Sequence, residues 1–238
     1  MLFRSTQSDI YRCDFTRMRV ERVTRTPESE YSPRRTPDSS WISVVRVDAD
    51  SGQRFYVIPI SNPRVSTSVS GSDSIGYYTW VSDSLIAMFV LGTPPTLQLL
   101  DIHSGKRTPL ASSIGRCLKT DPEKHGLYFT DKSDSLKTWI KRYDLSTGEI
   151  TSITSTLTGS EDFELLPDGT LLLGKAGILY AWTNDKPSWN PIADFSKELG
   201  DFYRIVVDPT GHRIAVVAYT DRKSTRLNSS HTVISYAV

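Results

Sequence analysis

The chain has 238 residues, 38% of them hydrophobic, with 28 basic and 27 acidic side chains and a formal net charge of +1. That length and apolar content suffice for a substantial core, and all-β domains of this size are often single. A near-neutral balance with both signs dispersed excludes the electrostatic footprint of a nucleic-acid binder, and no apolar run approaches the roughly 18 residues of a membrane helix.

In chain order, Met1 to Ser5 brings charged and polar residues before any apolar stretch, so it is no signal peptide. The basic group Arg17, Arg19, Arg22, Arg25, Arg34 and Arg35 is interleaved with Asp14, Glu21, Glu28 and Glu30, the pattern of a solvated strand face. Turn signals follow at Thr36-Pro37-Asp38-Ser39, Val81-Ser82-Asp83-Ser84, Leu166-Pro167-Asp168-Gly169 and Asp208-Pro209-Thr210-Gly211, with a degenerate copy at Thr120-Asp121-Pro122-Glu123. After each comes a short apolar or β-branched run: Trp41–Val45, Leu85–Leu91, Gly126–Phe129, Thr170–Leu173 and Arg213–Val217. Their length and flanking turns predict buried strands. Leu97–Ile102 and Thr138–Leu145 predict more amphipathic partners, each running into a Ser-Gly or Thr-Gly hairpin turn at Gly105 and Gly148. Helical periodicity is almost absent; Ala193 to Leu199 has room for one short turn.

These segments repeat one plan. Pro37, Pro122, Pro167 and Pro209 share a mean step of about 43 residues, the period of four-stranded propeller blades. Ser8–Phe15 and Trp139–Gly148, and less closely Ile178–Trp182, match an Ile-Tyr-x-x-Asp-Leu-x-x-Gly strand. With the Pro-Asp-Gly turns, this pattern resembles the TolB-type, WD-repeat-like β-propellers over residues 1–220. Asp38 followed by Ser, and Val81-Ser82-Asp83 without proline, depart from it. The resemblance implies an all-β propeller of four-stranded blades, about five of them visible, in a family that commonly closes with six or more.

The last eighteen residues are expected to be foreign to that fold. Asp221-Arg222-Lys223-Ser224-Thr225-Arg226-Leu227-Asn228-Ser229-Ser230-His231 resembles, codon for codon, a translated short-read sequencing adapter, with Thr232-Val233 at the variable index and Ile234 to Val238 in the constant part. Residues 221–238 are therefore expected to be a non-native, disordered tail, and 1–220 a propeller fragment truncated at both ends, with Leu2 to Ser5 the second strand of a partial blade. Without the tail the net charge becomes −1. An unclosed propeller exposes two sheet edges, which predicts aggregation or poor folding.

Propellers of the resembled kind bind ligands where their innermost strands meet the central channel. The candidates at the lead-ins to the first strands are Glu30, Tyr31, Tyr77, Arg116, Glu161, Asp162 and Tyr203, placed to take a cation, a peptide end or a sugar. The plainer reading, which the sequence favours, has them capping strand ends around a water-filled tunnel. No catalytic constellation stands out: Gly71-Ser72-Asp73-Ser74-Ile75-Gly76 lacks nucleophile-elbow spacing and reads as a loop between blades. His103, His125 and His212 each sit beside a turn glycine, and no metal or cofactor is expected. Adjacent Glu161 and Asp162 are expected on opposite strand faces, unable to act as an acid/base pair. Cys13 and Cys117 read as isolated buried thiols, a long-range disulfide remaining open. The tryptophans read as packing residues.

Two functions follow from the resemblance. One is a non-catalytic binding or scaffold propeller of the bacterial cell envelope, engaging protein or a small ligand. The other is the substrate-gating propeller of a serine hydrolase similar to the prolyl oligopeptidase and dipeptidyl peptidase group, its catalytic domain lying downstream.

Overall fold

The computed structural model describes residues 7–14, 17–208, 211 and 213–218, and the backbone alone of 232–237. The predicted strand from Leu2 to Ser5, His212 and most of the 221–238 segment lie outside the described residues. The chain divides into two compact units, residues 1–114 and 115–238.

The first unit opens with a hairpin of β1 (Tyr11–Asp14) and β2 (Arg19–Arg22). A four-stranded antiparallel sheet follows: β3 (Ser29–Arg35), β4 (Trp41–Val47), β5 (Gln53–Pro59) and β6 (Thr67–Ser68), hydrogen-bonded in chain order. The next has the same order, with β7 (Ile75–Trp80), β8 (Leu85–Val90), β9 (Thr96–Asp101) and β10 (Arg107–Ser112).

The second unit repeats the plan. Its sheets are β11 (Ile114–Thr120), β12 (Gly126–Asp131), β13 (Trp139–Asp144) and β14 (Ile150–Ser155), then β15 (Glu164–Leu165), β16 (Leu171–Lys175), β17 (Ile178–Thr183) and β18 (Lys186–Asp194). A single helical turn, α1 (Ser196–Leu199), leads into β19 (Phe202–Val207) and β20 (Arg213–Ala218). The backbone of β21 (Thr232–Ala237) pairs antiparallel with β20. The fold is thus all-β, a succession of antiparallel blades of propeller type.

Each turn signal joins the first strand of a blade to the second, and local chemistry explains how. The residue two beyond the proline takes positive φ at Ser39 (60°), Lys124 (57°), Gly169 (85°) and Gly211 (75°). Leu166 N–H bonds Thr170 O at 2.9 Å and Thr36 N–H bonds Trp41 O at 3.1 Å, closing equivalent loops. Ser39 and Lys124 reach this conformation without glycine, at a steric cost that only glycine avoids. The Gly105 and Gly148 turns match as well. Asp101 Oδ1 accepts from Ser104 N at 2.7 Å, and Asp144 Oδ1 accepts from Ser146 N and Thr147 N, both at 3.0 Å.

Second strands lie in mid-sheet, so their apolar runs are buried on both faces. In the first unit Val45, Phe55, Ile75, Tyr78, Ile86, Met88, Val90 and Leu100 form one core, none more than 6% exposed. Phe55 meets the Tyr78 ring edge-on at 4.8 Å, an arrangement that adds to the ~1.5–3 kcal/mol contributed by each large buried apolar side chain. The second unit has one core of Leu172, Leu179, Leu199, Phe202, Ile205, Val216 and Ala218, and another around Cys117, Ile140, Phe163, Leu171 and Trp182. Trp80 and Trp189 pack against these cores. Trp41, by contrast, is 36% exposed at the start of its strand.

Bonds between neighbouring sheets join residues one repeat apart. Arg34 to Tyr78 O spans 44 positions, Lys119 to Glu164 spans 45, and Cys117 to Phe163 spans 46. The period seen in the sequence is therefore the separation of the contacts that stack one blade on the next.

Candidate functional site

The lead-in segments are themselves first strands, or lie immediately before one, and in the second unit they bring four of the candidates together. Arg116 on β11 holds Asp162 Oδ2 at 2.6 Å and Glu161 Oε1 at 3.0 Å. Its guanidinium lies 5.5 Å from the centre of the Tyr203 ring on β19. Two cations that the sequence pattern does not single out complete the group. Lys132, just after β12, binds Glu161 Oε2 at 2.7 Å, and Arg204 approaches Asp162 Oδ1 at 3.8 Å. Arg204 also stands 5.9 Å from the Tyr203 ring centre. Their signal in the sequence is weak: Lys132 follows a buried second strand, and Arg204 sits one repeat, 42 positions, beyond Asp162.

The structure corrects the expectation for Glu161 and Asp162. Both reach one guanidinium because residues 161–163 are irregular and precede β15, so the alternation of a strand does not apply. Gly115 makes room for them. A Cβ at that position would strike Thr130 Oγ1 and stand 3.3 Å from Glu161 Oε2.

Among the described residues the cluster gathers three cations and two carboxylates. Asp162 is 7% exposed, whereas the side chain of Lys132 is half exposed at 50%. The cluster thus grades from a desolvated pair, where electrostatics are strong, to a solvent-facing ammonium. Lys132 also lines a polar cavity of ≈240 Å³ together with Lys137, Thr138, Thr156, Thr158 and Gly159.

Glu30, Tyr31 and Tyr77 belong to the first unit. Glu30 is 1% exposed and is occupied by structural bonds: Thr24 Oγ1 and Thr26 Oγ1 donate to it at 2.7 and 2.5 Å, and Arg46 Nη2 lies at 3.1 Å. Tyr31 is 43% exposed, and Tyr77 packs edge-on against Phe89 at 5.9 Å.

The remaining chemistry-bearing residues have structural environments. The Cys117 thiol is pushed up to about 12 by burial, and it exchanges hydrogen bonds with Phe163, donating to its O at 3.2 Å and accepting from its N at 3.3 Å. A thiol so protonated is a poor nucleophile. Cys13 is exposed on β1 rather than buried, and both cysteines are free. His103 and His125 lie in exposed turns. Among the described residues no group of three His, Cys, Asp or Glu is placed to hold a metal ion, and no helix is long and apolar enough to cross a membrane.

No family model matches the chain, and no curated protein matches it in sequence. In structure it is similar to TolB from Acinetobacter baumannii, with a TM-score of 0.71 at 16% identity over 89% of this chain and 54% of that one. A TolB-type protein from Agrobacterium tumefaciens gives 0.66 at 16% identity over 88% and 77%. The β-propeller domain of the Trilobed protease from Pyrococcus furiosus gives 0.58 at 13% identity over 88% and 69%. The chain spans about half the length of the Acinetobacter protein. At such identities the likeness is one of fold, and the fold is that of TolB-like β-propellers.

Proposed function

We propose that the chain is a non-catalytic binding propeller of the TolB type, serving in the bacterial cell envelope and engaging a protein segment or small ligand through the Arg116 cluster. The carrying observation is the union of Arg116, Glu161, Asp162, Tyr203 and Arg204 from three consecutive blades at one place. The convergence of Arg116, Lys132 and Arg204 suits an anionic group, such as a peptide carboxylate. The Tyr203 ring already faces two guanidiniums, so a ligand cation has no advantage there. Tyr31 and Tyr77, in the first unit, are proposed as ligand-facing only through the resemblance, whereas buried Glu30 is committed to Arg46.

The test is calorimetric titration with a short glutamate-rich peptide and its lysine-rich counterpart, on the wild-type chain and on Arg204→Ala. Preference for the acidic peptide, weakened in the variant and by added salt, supports the reading. Equal binding of both peptides, or of neither, sinks it. Fractionation of source cells with an antibody to the chain tests the envelope assignment, a purely cytoplasmic signal being the contrary result.

The likeness to a protease's propeller favours a second reading, in which this is the substrate gate of a serine hydrolase. Reading the source gene across the codons for Asp221 onward decides it. A Gly-x-Ser-x-Gly elbow downstream establishes the gate, and a stop codon after further blades removes it.

A further inference from the structure

A cleft of ≈330 Å³ lies between the hairpin β1–β2 and the sheet β3–β6, well away in sequence from the Arg116 cluster. Its floor is apolar, with Ile10, Val23, Ile42 and Ile60 contributing, and its rim carries Arg12, Arg22, Arg34 and Arg35 against a single carboxylate, Glu21. Two of the arginines are neutralised: Arg12 by Glu21 at 2.7 Å, and Arg22 by Asp9 at 2.6 Å. Arg34 uses only its Nε, which donates to Tyr78 O at 3.1 Å. Arg35 has no carboxylate partner among the described residues, so one guanidinium stands at the apolar pocket with its charge uncompensated.

The backbone here is shaped as well. The β3 register shifts between Tyr31 and Arg34, Ser32 takes a φ of 53°, and Pro33 itself lines the cleft. Such a bulge re-aims the residues that follow it, and proline is tolerated there because an edge bulge needs no N–H. Beyond the bulge Arg34 pairs with Ser43 and turns toward Tyr78, whereas Arg35 pairs with Ile42 and shares the face of that cleft-lining residue.

We propose that this cleft binds a small amphipathic carboxylate, its apolar body on the isoleucine floor and its head on Arg35. The volume falls at the small end of ligand sites, which suits a free small molecule. A planar carboxylate matches the fork of a guanidinium, and the mostly apolar lining favours burial of a hydrocarbon body.

The probe is octanoate, with uncharged octanamide as its control, followed by calorimetry and by the methyl NMR signals of Ile10, Ile42 and Ile60. Octanoate is expected to shift those methyls and to bind at least about tenfold more tightly than octanamide. Arg35→Gln, at an exposed position that leaves the fold alone, is expected to weaken octanoate about tenfold and to leave octanamide unchanged. Ile60→Phe fills the floor and is expected to abolish binding with every charge in place, whereas Arg204→Ala leaves it intact. Equal affinity for octanoate and octanamide, methyl shifts elsewhere, or an Arg35→Gln protein that binds like the wild type overturns the assignment.

Discussion

Arg116 Nη2 and Asp162 Oδ2 lie 2.6 Å apart across the boundary between two blades, although 46 positions separate them in the chain. Asp162 is nearly buried, so this partner stands in for the water it has lost. Arg116→Ala is expected to lower stability by about 1–3 kcal/mol, the cost of leaving a desolvated group underpaired. Arg204, at 3.8 Å, limits the loss. Urea unfolding checks this: the midpoint falls with an unchanged slope, and Arg116→Lys retains part of the stability.

Ser43 is an internal junction. Its Oγ accepts from Tyr78 Oη at 2.8 Å and from Trp80 Nε1 at 3.0 Å, and its hydroxyl donates to Arg34 O at 3.1 Å. Ser43→Ala removes the acceptor shared by Tyr78 Oη and Trp80 Nε1 and is expected to cost about 1–2 kcal/mol, because Tyr78 Oη keeps Ser32 O at 3.0 Å. Tyr78→Phe removes both bonds of the phenol and is expected to cost about 1–3 kcal/mol. The double variant is expected to lose less than the two single losses together, because each single change already removes the Tyr78–Ser43 bond. Strict additivity in a double-mutant cycle would contradict the network.

Acid is expected to loosen the hairpin turns. Asp144 is held well below the usual carboxylate range by hydrogen bonds from Ser146 and Thr147 and by Arg142, and Asp101 is lowered by Ser104. Hydrogen bonding to Arg54 brings Asp50 down to about 2. A carboxyl whose folded value lies below its unfolded one contributes stability above about pH 4 and loses it as pH falls further. The urea midpoint of the wild type therefore declines between about pH 4 and pH 2. Asp144→Asn carries no such titration, so the gap between variant and wild type narrows over that window; parallel curves would refute the linkage.

Two glycines with nearly the same φ separate conformational strain from collision. Gly169 (φ 85°) has open space around a Cβ, so Gly169→Ala is expected to cost about 1–2 kcal/mol from the left-handed conformation alone. At Gly177 (φ 78°) a Cβ would run into the Ser196 backbone and stand 2.7 Å from Gly200 O. Gly177→Ala is expected to add about 1–3 kcal/mol for the forced backbone shift. Thermal midpoints of the two variants measure the difference.

Local pattern was enough to specify the blades. Trp41–Val47, Leu85–Val90 and Leu171–Lys175 are strands because apolar runs between turn residues have nowhere else to be satisfied, and the loops at Pro37 and Pro167 follow from the φ of a few adjacent residues. These are short-range choices, legible in the order of the residues. The site arose from packing between distant segments instead. Glu161 and Asp162 share one guanidinium because the irregular approach to β15 abolishes the alternation that their adjacency predicts. Lys132 and Arg204 join them through contacts that only the stacking of blades creates. Glu30 shows the same limit: a carboxylate read as a ligand-facing residue is instead buried against Arg46, because the pairing of β3 with β4 brings that charge to it. Pairing between blades depends on side-chain directions fixed a repeat apart, and no local pattern in the chain encodes them.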